Sequence, residues 1–145
     1  MAVIVREAVL GDAGAVVKLI GEMAAEGEAS SPITESYVNT YLASPAGKVL
    51  VAEQGEQVVG MLSYSIRQDL FHAGPVGHIE ELVVHREARG QGIGAALLTE
   101  ALSRLRAGGC VEVSLNVMPD NDSAIRLYRR HELTEETLGL ERHFT

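Results

Sequence analysis

The sequence contains one cysteine, no tryptophan, two phenylalanines and four prolines among its 145 residues. A lone Cys110 excludes a disulfide framework and a thiolate metal cluster, and a reducing, cytoplasmic interior is the expected setting. No apolar stretch approaches the roughly 18 residues that a membrane-spanning helix needs. Met1 to Val5 carries no cationic segment ahead of a long apolar run, so no signal peptide is expected. Positive charge is also scarce: 12 Lys and Arg stand against 20 Asp and Glu, a net charge of −8. A nucleic-acid surface would be basic, so neither nucleic acid nor membrane is expected as a partner. An acidic chain suits a cationic or neutral small substrate. His72 has no second ligand at metal-binding spacing, so no metal is expected. The length suits one domain, residues 1–145, with a real core.

Glycine is well represented, with 15 residues, and it concentrates where strand gives way to helix. The stretch from Gly77 to Leu98 begins as a strand containing Ile79, Leu82, Val83 and Val84. It ends as a helix in which Ile93, Leu97, Leu98, Ala101, Leu102 and Leu105 recur at helical spacing. Between them lies Arg89-Gly90-Gln91-Gly92-Ile93-Gly94. Glycines at this position let the chain turn sharply and leave the first N–H groups of the helix uncovered. With the positive end of the helix dipole, those donors form a pyrophosphate site, to which Arg89 can add a charge-assisted bond.

Other glycine-rich loops fit less well. Gly90, Gly92 and Ala95 satisfy the dinucleotide pattern, but five polar or small residues separate Val84 from Gly90, and the next strand ends near Leu115-Asn116 without an acid. A nucleotide P-loop would need Gly-Lys-Ser/Thr, where this chain has Gly94-Ala95-Ala96. A plain helix N-terminus with a tight turn is the remaining alternative.

Arg89-x-x-Gly92-x-Gly94 after a strand resembles the pyrophosphate loop of the GNAT family of N-acetyltransferases. Asn121-x-x-Ala124-x-x-Leu127-Tyr128 resembles that family's C-terminal helix signature. The likeness covers roughly residues 50–133. It implies that acetyl-CoA is the co-substrate, held by Arg89, Gly90, Gln91, Gly92, Ile93 and Gly94, with Asn121 nearby. It also implies that the backbone of Leu82, Val83 and Val84 receives the pantetheine arm. Gly77-His78-Ile79-Glu80-Glu81 is similar to the glucosamine-6-phosphate N-acetyltransferase branch, and His78 alone is similar to the arylalkylamine branch. The family usually has Gly-Phe after the tyrosine-bearing helix. Glu132-Leu133 stands there in this chain: Leu133 can still fill the core, and Glu132 is expected to take a non-glycine backbone conformation at the turn.

Read in order, Val3 to Ala8 is an edge strand, and a helix begins at Gly11-Asp12 with Val16, Val17, Leu19, Ile20 and Met23 as its apolar positions. A second helix opens at Thr34-Glu35-Ser36 and stops near Ser44-Pro45. Glu22, Glu26 and Glu28 read as a solvated helix end, the alternative being attraction for an ammonium group. Lys48 to Glu53 and Gln57 to Ile66 form a hairpin broken at Gly55, and Arg67 to Gly77 reads as an irregular loop. Gly108-Gly109 closes the long helix, Val111 to Val117 is a strand, and Ala124 to His131 is a helix capped by Pro119 to Ser123. Leu133 to Glu136 and Thr137 to Phe144 read as terminal strands able to pair across a homodimer. The resulting architecture is α/β (α+β): a mixed central sheet flanked by helices, the fold that the GNAT resemblance implies.

Acetyl transfer to an amine requires a held thioester, a deprotonated amine and a proton for the departing thiolate. By spacing alone, Tyr128 is a packed core residue; the resemblance makes it the acid for the thiolate. His78 and Glu80 alternate onto one strand face, with Glu81 expected on the other. Glu80 is the candidate base with His78 as its partner, although binding the amine would leave the same pattern. The expected function is acetyl transfer from acetyl-CoA to the primary amine of a small molecule. A protein or peptide N-acetyltransferase and a non-catalytic acyl-CoA-binding module are the alternatives.

Overall fold

In the computed structural model, which describes residues 2–144, one five-stranded sheet runs through the chain in sequence order. The strands are β1 (Val3–Glu7), β2 (Gly47–Gln54), β3 (Gln57–Asp69), β4 (Gly74–Val84) and β5 (Glu112–Leu115). The first four are antiparallel; β5 joins β4 in parallel after a helical crossover. Helices α1 (Ala13–Glu26) and α2 (Glu35–Ala43) cover one face, and α3 (Ile93–Ala107) covers the other, with α4 (Asp122–Arg130) beside it.

Side-chain alternation divides the sheet between two cores. Val49, Val51, Met61 and Val83 face α1 and α2, where they meet Val16, Leu19, Ile20 and Val38. Leu50, Leu62, Tyr64 and Ile79 face α3, where they meet Ile93, Leu97, Leu98, Ala101 and Leu105. Leu97 and Leu98 are fully buried, each removal from water contributing about 2–3 kcal/mol. Gly77 permits this packing: a Cβ there would lie 2.7 Å from Leu105 Cδ2. A two-point clamp closes the start of the chain, as Asp12 accepts hydrogen bonds from both terminal nitrogens of Arg6 and from the Val9 N–H. This pairing holds the Asp12 carboxyl below the usual range.

Three expectations change. The segment read as a loop from Arg67 to Gly77 is mostly strand. β3 runs to Asp69 and β4 starts at Gly74, because Asp69 accepts from both the backbone N–H and the ring of His72 and so makes a tight hairpin end. The first helix begins at Ala13, after a 3-10 turn over Leu10–Asp12 that spends the Asp12 side chain on the Arg6 clamp. The two terminal strands do not form among the described residues: 133–144 has no regular structure, and Leu138, Leu140 and Phe144 are exposed. A strand needs a partner, and the four-residue β5 takes none on its outer edge. With those strands goes the basis for pairing across a dimer.

In the turn after α4, Leu133 fills the core as expected, but Glu132 keeps the conformation that glycine would take instead of a non-glycine one. Glu132 adopts φ +68°, the left-handed region, and the Leu133 N–H reaches the Tyr128 carbonyl at 3.0 Å, so that Leu133 packs into the α3-side core. An L-residue held there costs about 1 kcal/mol relative to glycine. Glu132→Gly is therefore expected to raise unfolding stability by about 1 kcal/mol in chemical denaturation. An unchanged or lower midpoint would show that the Glu132 side chain offsets the strain.

Candidate active site

The site begins with an irregularity in strand pairing. Between Ser63 and Tyr64 the β3–β4 register shifts: Ser63 pairs with Glu81, but Tyr64 pairs with Ile79. Glu80 is the extra residue of a β-bulge, which breaks alternation for one step. Glu80 and Glu81 consequently both face the α1–α2 side and line the same cavity. This corrects the expectation that Glu81 lies on the opposite face; the alternation rule fails where the strand is bulged. Each carboxylate has a serine: Ser65 Oγ donates to Glu80 at 2.8 Å, and Ser63 Oγ donates to Glu81 at 2.5 Å.

His78 is set at the edge of this group. Its Nδ1 lies 2.9 Å from Ser114 Oγ across β5, and its Nε2 lies 4.0 Å from Glu80 Oε2. A polar chain thus crosses three strands, from Ser65 through Glu80 and His78 to Ser114. Glu80 lines the cavity and His78 does not.

A second opening lies beside the first. β4 and β5 pair through only four residue pairs, from Val76–Glu112 to Ile79–Leu115, and then part. Residues 80–84 therefore have no strand neighbour on that edge. The Val84 carbonyl points out from β3 and accepts from Arg89 Nε at 3.0 Å, while the next N–H, that of His85, points inward to Val59 at 2.8 Å. Backbone direction alternates along a strand, so the amide groups of Leu82 share the outward direction. Val83 packs its side chain into the α1-side core.

The glycine loop closes this opening. Gly90 and Gly92 adopt φ +78° and +79°, and a Cβ built on either would meet nothing within 4 Å. These glycines are needed for backbone conformation, and the space in front of them is open. Gly92 is the N-cap of α3 without a side-chain cap, and the Ala96 N–H bonds the Gly92 carbonyl at 3.0 Å. Helix geometry leaves the N–H groups of Ile93, Gly94 and Ala95 without intrahelical partners. Ile93 itself is buried and anchors the turn, and Gln91 accepts from Gln54 at 2.9 Å. An open cradle of backbone donors at a helix N-terminus fits a pyrophosphate.

Two expected roles meet competing partners. Arg89 Nη2 is hydrogen-bonded to Glu26 of α1, so its charge is already paired. Asn121 is the N-cap of α4 and accepts from the Ala124 N–H at 3.3 Å. Sequence reading missed the partners of the α1 carboxylates. Glu22 lies 2.9 Å from His85 Nδ1, and Glu26 binds Arg89, so both tie α1 to the loop rather than stand in solvent. The partners lie more than sixty residues away in sequence, so no spacing within α1 signals them.

Tyr128 packs against the α3-side core, near the start of α3, where Gly94 stands opposite Leu127. Its hydroxyl makes no hydrogen bond to Glu80 or His78. Burial alone pushes its pKa up, so the phenol keeps its proton at neutral pH. Tyr128 thus lies on the α3 side of the sheet and Glu80 on the α1–α2 side, with the gap between β4 and β5 opening the edge of β4 just past Ile79.

The sequence model of the Acetyltransferase (GNAT) family matches residues 18–132. The chain belongs to that family. It is 38% identical over 80 residues to an aminoalkylphosphonate N-acetyltransferase of Salmonella typhimurium, covering 55% of this chain and 52% of that protein. It is 33% identical over 88 residues to a mycothiol acetyltransferase of Saccharopolyspora erythraea, covering 61% of this chain and 27% of that protein. The chain thus spans about half or less of the length of these relatives. Among solved structures, a transcriptional regulator from Bacillus halodurans C-125 superposes with a TM-score of 0.88 at 29% identity, covering 99% of this chain and 100% of that one. The five-stranded sheet with four helices is the GNAT fold. These relatives do not single out the glucosamine-6-phosphate branch.

Proposed function

We propose that residues 1–145 form one catalytic domain that transfers the acetyl group of acetyl-CoA directly to the primary amine of a small molecule. The observation that carries this reading is the placement of Glu80. It lines a cavity on the α1–α2 side and sits where β4 parts from β5, next to the outward backbone of Leu82. Acetyl-CoA would supply an activated acetyl thioester. The backbone donors at Gly92, Ile93 and Gly94 would hold its pyrophosphate. Arg89, paired with Glu26, fixes the loop against α1 and shares its remaining donors with the phosphate.

Glu80 then serves as base. Its Oε1 is held by Ser65, and its other oxygen is free to take the proton of an incoming ammonium, directly or through water. His78, held by Ser114, stands beside it as a relay outward. Tyr128 provides the proton for the departing sulfur, a role that its elevated pKa suits. The reducing cytoplasm is the expected setting.

Glu80→Gln keeps the size and the serine contact but removes the base. It is expected to lower kcat by about 10²–10⁴-fold and to erase one ionisation from the kcat–pH profile. A variant with weakened apparent amine affinity but unchanged kcat and pH profile would make Glu80 a binding group only. Coenzyme A release measured with free amines against peptides tests the substrate class.

A further inference from the structure

The acetyl-transfer reading above leaves the acceptor unnamed, and the walls of the cavity bear on it. The cavity measures about 750 Å³. Much of its wall is aliphatic: Val16, Ile20 and Met23 come from α1, Val38 from α2, and Val49 and Met61 from the sheet, while Ser31, Thr34 and Ser44 add hydroxyls at other points and Ser63 and Ser65 are bonded to the two carboxylates. Tyr37 and Tyr41 add aromatic surface. Among the described residues its only charged lining groups are Glu80 and Glu81, brought side by side by the bulge. No lysine, arginine or histidine among the described residues lines it.

His78 stands 4.0 Å from Glu80 but is held by Ser114 and lies outside the lining, and the neighbouring lysines and arginines are committed elsewhere. Arg6 holds Asp12 and Glu53, Arg89 holds Glu26, and His85 holds Glu22. Lys48 sits between the lining residues Gly47 and Val49 and so points to the other face of β2. Lys18 lines a separate, smaller cavity with Glu22 and His85. The anionic field at the floor is felt by a neighbour: the Tyr41 phenol is pushed up to about 12, first by burial and then by Glu81 and Glu80. A phosphate, phosphonate or carboxylate in this space would meet two carboxylates and, among the described residues, no lining lysine, arginine or histidine. An ammonium would meet both carboxylates, and the remainder of the molecule would meet hydrocarbon and aromatic rings.

We propose that the acceptor is an amine carried on an apolar body without an anionic group, and that Glu81 together with Glu80 selects it. This rests on the acetyl-transfer reading, and the test separates the two. Coenzyme A release is measured at saturating acetyl-CoA with a phenylalkylamine, with phenylalanine, with an aminoalkylphosphonate and with an aminoglycoside. The phenylalkylamine is expected to exceed both anionic amines in kcat/KM by about 10²-fold or more, since two carboxylates side by side repel a third anion and attract the ammonium. It is also expected to exceed the polyhydroxylated aminoglycoside, which would bury hydroxyls against the aliphatic stretch of wall from Val16, Ile20, Met23, Val38, Val49 and Met61. Tyr37→Arg, on an exposed position of α2 at the cavity wall, is expected to narrow the preference over the anionic amines by about tenfold. An equal or better rate with the phosphonate, phenylalanine or the aminoglycoside would overturn the proposal while leaving acetyl transfer intact. If no amine is acetylated, calorimetric binding of the same four compounds decides. A preference for the phenylalkylamine upholds the proposed selectivity and removes the acetyl-transfer reading; no binding or no preference overturns the selectivity too.

Discussion

Tyr128→Phe is expected to lower kcat by about 10²–10⁴-fold, the range typical of a lost general acid, with little change in acetyl-CoA affinity. The substitution removes one hydroxyl and hardly any volume, so packing against the α3-side core should persist. The hydroxyl has no hydrogen-bond partner among the described side chains near the site, and burial alone raises its pKa. No protein contact is therefore broken by its removal, and a change in rate reports on chemistry. Because the folded-state pKa lies above the ordinary value, the acid form persists through neutral and mildly alkaline pH. The wild-type rate should show no loss from this group below its ordinary pKa near 10. A fully active Phe variant would return Tyr128 to a packing role.

Gly92→Val is expected to weaken acetyl-CoA binding by about 10²–10⁴-fold. That range corresponds to the loss of two charge-assisted hydrogen bonds of about 1.5–3 kcal/mol each. Gly92 sits at φ +79° with open space where a Cβ would project, in front of the first turn of α3. A branched side chain fills that approach and strains the backbone, at a cost of about 1–3 kcal/mol. Gly92→Ala carries much of the strain but only a methyl group. Calorimetry on both variants, each checked for folding by circular dichroism, separates crowding from instability. Crowding predicts a larger affinity loss for Val than for Ala. Unchanged affinity in folded Gly92→Val would remove the loop from the cofactor site.

The parts of this site that sequence made legible are those in which residue type dictates backbone. The left-handed conformations at Gly90 and Gly92, the buried Ile93 at the helix start and the uncapped first turn of α3 all follow from Gly-x-Gly at a strand-to-helix junction. The core contact of Leu133 was legible, but the left-handed Glu132 was not: the residue type argued for a different conformation, and the chain keeps the turn and bears the strain. The bulge at Glu80 was not legible, because alternation gives no sign of where one residue will be skipped, and Glu81 was placed on the wrong face in consequence. The pairing of Glu22 and Glu26 with His85 and Arg89 depends on elements more than sixty residues apart, and charge pattern within one helix cannot reveal it. The terminal segment shows the opposite error. Residues 133–144 were read as strands on a few apolar residues, Leu133, Leu138, Leu140 and Phe144, but strand formation depends on a neighbour that the sequence pattern does not guarantee.

Acetyl transfer to a small amine is tested most directly by mass spectrometry after incubating the protein with acetyl-labelled acetyl-CoA and a mixture of primary amines and peptides. The predicted result is the label on a free amine, equal in amount to the coenzyme A released, with none on the protein. Label found only on peptides, label held covalently on the protein, or coenzyme A released without any acetylated amine would contradict it.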